Sequence, residues 1–570
     1  MITSEGHMMT EFETAPGTPS TSRNPGTARK PAATRKATKG APRGPVSVRW
    51  NLDELPSSQH KAGLAGLAIC VGYLQRKPER TGVCEIETID PGGLTLKVDR
   101  AGMQDLFDDI YAAELEEQER AKPFQHKGSK VEDPAKRTFE KTIVDDSGIE
   151  KTKTVYVYDQ VVPRGAVIGE WDAAPSGAPK LWLKLWRDLV WTVLRGVPAT
   201  REAYQCRAES RPATDGAEAW DELTYRPMAS VPLPSTYYLG AQATTAENVV
   251  FCDVARRRVL LHFWPFVVPI YLPAVVGRDG SRDFAGYALA IPDIADLEAF
   301  VADWPKLARE RAADPSGGRP REAIVDLVAE AGMDLARRAL GVVARRGSVA
   351  ATRTWLNAVD VYHVEKAGHN VRIRSLNRID LCHGRIDEYA RVRQVYWTPT
   401  FKRQRVINVL EGRAWWSGFA RLCAIMPAEL TIKDARFRRD CRVAFTEVEM
   451  SGAASDDDMA LERLIYQAIR AYVLGRLKSK YDLSWSSGLA ASPTWKKNYE
   501  ENRQKVAREA FLAVRSRTSA DFVGYFTSTI CAVPQRFDEP TFLTIARAFH
   551  DEREIERVRC LSLLALSANA

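Results

Sequence analysis

Apolar positions in this chain recur in two rhythms, every second residue or every third to fourth, and the rhythm predicts which element each stretch forms. Residues 55–74, LPSSQHKAGLAGLAICVGYL, open the folded part. Pro56 and Ser57-Ser58 can start a helix and cap its free amides. Gln59-His60-Lys61 then make an exposed polar start to an apolar run in which Gly63 and Gly66 sit three apart. Glycine inside a helix costs about 1 kcal/mol against alanine, so the pair predicts close approach of another backbone. Residues 84–98 alternate as strands around the turn Pro91-Gly92-Gly93, and 154–162 alternate again. Residues 103–120 read as a helix ending in an acidic face. Residues 122–153 are charged and weakly patterned, which suggests a mobile insertion.

Further on, Trp182, Leu185, Trp186, Leu189 and Val193 fall on one helical face, with Pro198 stopping the helix. At that spacing Trp182, Trp186 and Trp191 are expected in the core rather than as a base-stacking platform. Residues 259–270 hold too many prolines for a helix and predict a buried or edge strand. Residues 296–311 and 321–346 are helical by period. Residues 359–376 predict a hairpin turning over Ala367-Gly368-His369-Asn370, with Arg372 and Arg374 opposite Val371 and Ile373. From 451 onward the rhythm is helical only. One stripe runs through Leu461, Ile465, Ala468 and Tyr472, a second through Val506, Ala510 and Val514, and a third through Phe542, Ile545 and Phe549. The expected fold is α+β, with a large mixed N-terminal body over 46–450 and a C-terminal α-helical bundle over 451–570.

Composition narrows this little, while charge adds a boundary. A 45% hydrophobic and 27% charged chain is ordinary for a globular protein. No run approaches the roughly 18 uninterrupted apolar residues of a membrane span, and no signal-peptide core opens the chain, so a cytoplasmic protein is expected. Residues 1–50 hold eight Lys/Arg against Glu5, Glu11 and Glu13, which is +5 of the total +8 and leaves +3 for the rest. Residues 1–45, rich in Pro, Thr, Ala and Gly, are expected to form a disordered basic tail, either a phosphate-holding arm or a solubilising extension.

An enzyme is not expected. The chain has no GxxxxGK[ST] loop, no HExxH and no GxSxG elbow. Its nine cysteines are scattered without a CxxC pair, which predicts free thiols, no metal site and no cofactor. The credible chemistry is nucleic-acid contact. Between 390 and 417, Arg391, Arg393, Lys402, Arg403, Arg405 and Arg413, with Arg385 within reach upstream, stand against the single acid Glu411, interleaved with Tyr396, Trp397, Phe401, Trp415 and Trp416. Lys433, Arg436, Arg438, Arg439 and Arg442 continue the run. A solvated charged face beside core aromatics has the same composition, and both readings stand at this level.

Two segments carry a family resemblance. The 55–74 helix, and residues 237–300 with YYLGAQATTAENVV, LLHFWP and ALAIPD, resemble the large subunit of type I CRISPR effector (Cascade) complexes, in the Myxan-type branch. The resemblance implies a non-catalytic subunit of an RNA-guided DNA surveillance complex. Such a subunit reads the protospacer-adjacent motif, promotes R-loop formation and recruits the downstream effector. The implied partners are the CRISPR guide RNA, target double-stranded DNA, the Cascade backbone and guide-end-capping subunits, and a helicase-nuclease, or a transposition adaptor if the system is transposon-associated. No membrane partner is implied. The bundle resembles the separate small subunit, and Met450 and Met459 mark candidate internal starts. Motif reading wants short polar side chains on a rigid loop, which points to Gln242 and Asn248 before the LLHFWP strand. The hairpin turn with Lys366, His369 and Asn370 is the second choice. Arg372, Arg374, Lys402, Arg403 and Arg405 are expected to hold phosphates. The rival is a guide-independent nucleic-acid-binding or architectural protein using the tail and the 390–442 surface.

Overall fold

The computed structural model describes residues 44–570 apart from 124–133, 145–149, 173–179, 195–200, 242–246, 248, 277–281, 311–319, 346–354, 368–369, 452–455, 486–491 and 533–538. The expected basic tail therefore falls outside the described residues except for its last two. The fold begins with a strand, Val46–Asn51, that pairs antiparallel with Gly93–Val98, itself paired with Cys84–Asp90. Helix Ser58–Leu74 follows, capped by the Ser57 hydroxyl, which accepts from the His60 amide. It is buried on nearly every side, which is why its apolar run has no amphipathic rhythm.

Its two glycines do what their spacing predicts. A Cβ on Gly63 would overlap the Leu260 carbonyl oxygen, and one on Gly66 would overlap that of Phe263. The partner is not the expected strand. Residues 259–270 form two 3-10 turns, Val259–His262 and Trp264–Phe266, and the strand starts only at Ile270. The turns aim successive carbonyls at the glycine groove, and Pro265 and Pro269 interrupt any ladder there. Phe263 and Trp264 are fully buried behind the contact.

At the polar start of the helix Gln59 and His60 are buried rather than exposed and Lys61 is partly buried, each taken up by a specific partner. Lys61 Nζ lies 2.7 Å from Asp293 on strand Tyr287–Ile294.

That strand sits mid-sheet. The sheet order runs Arg282–Phe284, Ile270–Val276, Tyr287–Ile294, Leu356–Ala367, Asn370–Asp380, and Ile324–Val325 adds in parallel to Ile270–Val276. Leu356–Ala367 and Asn370–Asp380 are the predicted hairpin. Helix Ser58–Leu74 covers one face, and helix Glu330–Ala344 lies against the other, where Gly332 meets Val361 and Ile379. The segment read as a helix over 321–346 thus splits into a turn, a short strand and this helix.

Two further expectations give way. The helix over 103–120 stops at Ile110, and Ala113–Arg120 is a strand pairing with Glu150–Pro163, which pairs in turn with Arg137–Val144. Within the supposed insertion, residues 137–144 and 150–153 belong to this ribbon, held by pairs such as Arg137–Glu117 and Lys141–Glu119 at 2.6 and 2.7 Å, while 124–133 and 145–149 lie outside the described residues. A run of Glu suits a strand once each is opposed by a cation. Trp182 and Trp186 are buried and Trp191 packs at the core edge, as their spacing predicts.

From His383 the described elements are helical, including Pro399–Glu411, Ala435–Ser451, Asp456–Tyr481 and Pro493–Arg515. The last helix, Glu552–Ala568, packs against Ala435–Ser451, Asp456–Tyr481 and Pro493–Arg515 and is buried over most of its length. The fold is α+β, a mixed body followed by a helical region. No helix among the described residues is long and apolar enough to cross a membrane. All nine cysteines are free.

On an open helix surface Gly→Ala stabilises, but here the methyl meets a carbonyl. Gly63→Ala and Gly66→Ala are each expected to destabilise by about 1–3 kcal/mol, read as a lowered denaturant midpoint; Gly72→Ala, with open space at its Cβ, serves as the control.

Candidate nucleic-acid interface

Gln242 and Asn248 lie outside the described residues, but the stem that carries them is well defined. The Gln59 side-chain amide donates to the Leu239 carbonyl at 3.0 Å and accepts from the Leu239 amide at 2.9 Å. On the other side of the loop, His60 Nε2 lies 2.8 Å from Asp253 Oδ2, and His60 Nδ1 lies 2.8 Å from the Ser57 hydroxyl. Burial pushes the Asp253 carboxyl up, but His60, Arg257 and the Val254 amide outweigh it and hold it below its ordinary value. Tyr238 and Phe251 stack across the stem at 5.5 Å, and Trp264 Nε1 donates to the Tyr237 carbonyl at 2.8 Å. Strands Ser230–Pro232 and Cys252–Val254 close the base. Consecutive residues of the opening helix thus hold Leu239 and Asp253, which flank residues 242–248 in the chain.

The hairpin is the sheet edge. Along Asn370–Asp380, Arg372, Arg374, Leu376, Arg378 and Asp380 alternate outward. Arg374 is ion-paired with Glu365, and Arg378 reaches Asp293 at 2.6 Å and Asp360 at 3.1 Å. Arg372 stands opposite Glu365 in the register, and Lys366 is exposed one residue further. His369 lies outside the described residues, as does the side chain of Asn370. His363 bonds the Ala285 carbonyl at 2.6 Å and is a structural residue.

The basic run of 385–413 divides sharply. Lys402 is paired with Asp326 at 2.6 Å, and Arg405 is buried, 3.3 Å from Glu388 and set against the rings of Tyr396 and Trp415. Neither is placed to meet a phosphate from solvent, which corrects the sequence expectation for both. At about 100° per residue, positions 403 and 405 point roughly 200° apart around the helix, so with Arg405 turned inward Arg403 faces out. It is exposed and lines an open groove of about 360 Å³ together with Asp326 and Glu411, across from His363 and Asn377 on the hairpin and beside Val275. The groove brings Arg403 and the hairpin together and leaves Lys402 and Arg405 behind.

The neutralising acids come from far upstream. Arg393 meets Asp334 at 3.1 Å and Glu322 at 3.0 Å, where Arg338 also reaches both, at 2.8 Å each. Arg337 and the Tyr271 hydroxyl complete the ring around Asp334 at 2.8 and 3.0 Å. Burial pushes Asp334 up, but Arg393, Arg338 and Arg337 outweigh it and hold the carboxyl well below its ordinary range. Nearby, burial pushes Glu330 up, and it accepts from the Tyr389 hydroxyl at 3.2 Å. The available sequence signal was the spacing of Glu322, Asp326, Glu330 and Asp334, four residues apart each time. Among the described residues no His/Cys/Asp/Glu group is arranged to hold a metal ion.

Asp334→Ala leaves three guanidinium groups converging on an uncompensated site and is expected to cost about 3–5 kcal/mol of stability at neutral pH. Because the folded carboxyl titrates below its ordinary 3.8, its contribution is full above that value and fades as pH falls below it. The gap between variant and parent in chemical denaturation should therefore shrink in acid. Arg403→Ala, on the surface, should change stability by no more than about 0.5 kcal/mol.

Comparison with known families completes the picture. Residues 83–346 match the type I-B CRISPR Cas8b N-terminal domain, and residues 356–569 match the type I-B CRISPR Cas8b C-terminal domain. A search of the curated proteins gave no match. The opening helix that first suggested the family lies upstream of both matched stretches. The two domains follow one another in order and together take in nearly all of the mixed body and the helical region, so the chain belongs to the Cas8b family, the large subunits of type I-B Cascade complexes.

Proposed function

We propose that this large subunit reads the protospacer-adjacent motif on target duplex DNA, promotes R-loop formation beside it, recruits the downstream effector, and performs no catalysis itself. The observation that carries the reading is the stem: Gln59 and His60, adjacent on one buried helix, hold Leu239 and Asp253 on either side of the 242–248 loop. Guide pairing supplies sequence specificity, so the protein needs only a short reader on a rigid base and cations for the backbone. Gln242 and Asn248 are the readers. Lys366, Arg372, Arg374 and Arg403, with His369 and Asn370 in the hairpin turn, form the backbone-holding surface around the groove.

In this reading the partners are the guide RNA, the target duplex, the Cascade backbone and guide-end-capping subunits, and a helicase-nuclease or transposition adaptor. The resemblance of residues 55–74 and 237–300 supports placement in the Myxan-type branch. The region 451–570 corresponds to the small subunit, and Met450 and Met459 remain the candidate starts for a separate copy. A mass spectrum of the purified complex holding only the full-length chain would remove that last point.

Duplex binding by the assembled complex tests the assignment. Gln242→Ala and Asn248→Ala should flatten discrimination between motifs, about 1–3 kcal/mol for the reading contact, with the salt dependence kept. Joint alanine substitution of Lys366, Arg372 and Arg403 should weaken binding to all motifs alike and lower the salt slope by about 0.9 for each phosphate no longer neutralised. Lys402→Ala and Arg405→Ala should lower stability instead. Motif preference unchanged in both loop variants would remove the loop from the site, and an unchanged slope would remove the groove.

A further inference from the structure

Five aromatic side chains lie in the basic run, and the structure gives them different fates. Tyr396 and Phe401 are buried, Trp415 and Trp416 are half-buried, and Trp397 is 63% exposed. A single exposed apolar side chain is ordinary on a protein surface; at Trp397 the exposure comes together with a fixed geometry.

Trp397 is also held in place. Its backbone amide donates to the Asp440 carboxylate at 3.1 and 3.2 Å, and the next amide, of Thr398, donates to Asp440 Oδ2 at 2.7 Å. Asp440 is fully buried. The guanidinium of Arg439 lies over the indole, its Cζ 3.9 Å from the ring centroid. Arg439 is anchored in turn by the Val395 carbonyl and by Asp440 Oδ1 at 2.9 Å. One face of the ring is therefore backed by a cation, and the exposure belongs to the rest of it.

The surroundings are cationic. Arg436, 67% exposed on its side chain and 3.4 Å from Asp434, precedes Arg439 by three residues on helix Ala435–Ser451, so the two share a face. Arg403 is carried by helix Pro399–Glu411, which begins two residues after Trp397. A rigid aromatic face beside cations fits a ligand that is both flat and anionic.

We propose that Trp397 is a stacking site for an unpaired nucleobase of single-stranded nucleic acid. Arg439 braces the ring from behind, and Arg436 neutralises the adjoining phosphate. The site rests on the nucleic-acid reading above. It needs no particular base, because every base has a π-face. A duplex does not satisfy it, since its bases are already stacked.

The test uses the full-length chain and a labelled single-stranded DNA, alongside the same strand carrying an abasic tract. Trp397→Ala should weaken binding to the base-bearing strand roughly ten-fold. Trp397→Phe should stay close to the parent, and Trp397→Leu, apolar but without a π-face, should behave like the alanine variant. On the abasic strand the parent should already be weakened and the variants should add little. Equal affinity of parent and Trp397→Ala for the base-bearing strand overturns the proposal, as does an equal loss on both strands. Loss of assembly with partner subunits while strand binding is intact also overturns it, marking Trp397 as a protein contact. In each of these cases the parent still binds nucleic acid and the broader reading stands. A parent that binds no strand and no duplex removes both.

Discussion

Close approach between the Ser58–Leu74 helix and the two 3-10 turns after Arg258 is the constraint on which the N-terminal body depends. A helix can lie against backbone carbonyls only where it has no side chain, and Gly63 and Gly66 supply that on one face. The consequence reaches beyond packing. With the helix seated this deeply, its first turn falls where Gln59 meets Leu239, His60 meets Asp253 and Lys61 meets Asp293. One contact therefore sets the height of a loop stem and of the central sheet together. Gln59 and His60, buried in succession, are tolerated because each finds its partner.

A second constraint joins the two family domains. The N-terminal match ends at residue 346 and the C-terminal match begins at 356, yet strand Tyr287–Ile294 of the first pairs along its length with Leu356–Ala367 of the second. The boundary in family terms thus runs through the middle of a sheet. Across the same boundary, Asp334 of the first domain gathers Arg393 of the second, and Asp326 holds Lys402. Polar groups buried in this way stabilise only as a complete set, because each unpaired member would carry the full cost of leaving water. Body and helical region are coupled through hydrogen bonds and charge as well as through apolar packing.

The same network decides which cations face outward. Acids spaced four apart over 322–334 neutralise the inward side of the 385–405 run, and Arg403 and Trp397 are left on the other side. What looked in one dimension like a uniform basic and aromatic stretch is in three dimensions a buried ionic seam with a narrow outer face.

Local chemistry was enough to read much of this. The glycine pair, the Ser57 cap, the turn at Pro91-Gly92-Gly93, the 356–380 hairpin, the tryptophan-bearing core helix and the helical character of the last third all follow from spacing, because each depends on neighbours within a few residues. Where the partner is distant, the sequence misleads. Ala113–Arg120 reads as a helix until Glu150–Pro163 and its neighbour supply opposing cations, and the segment before Ile270 reads as a strand until a glycine groove asks for carbonyls. Gln59 and His60 look solvated until Leu239 and Asp253 arrive, and Lys402 and Arg405 look like phosphate contacts until Asp326 and Glu388 do. Composition and periodicity determined which elements form and that a basic, aromatic surface was in play. Only the tertiary structure decided which charges are spent inside, because an ion pair depends on distance in space and the sequence records distance along the chain.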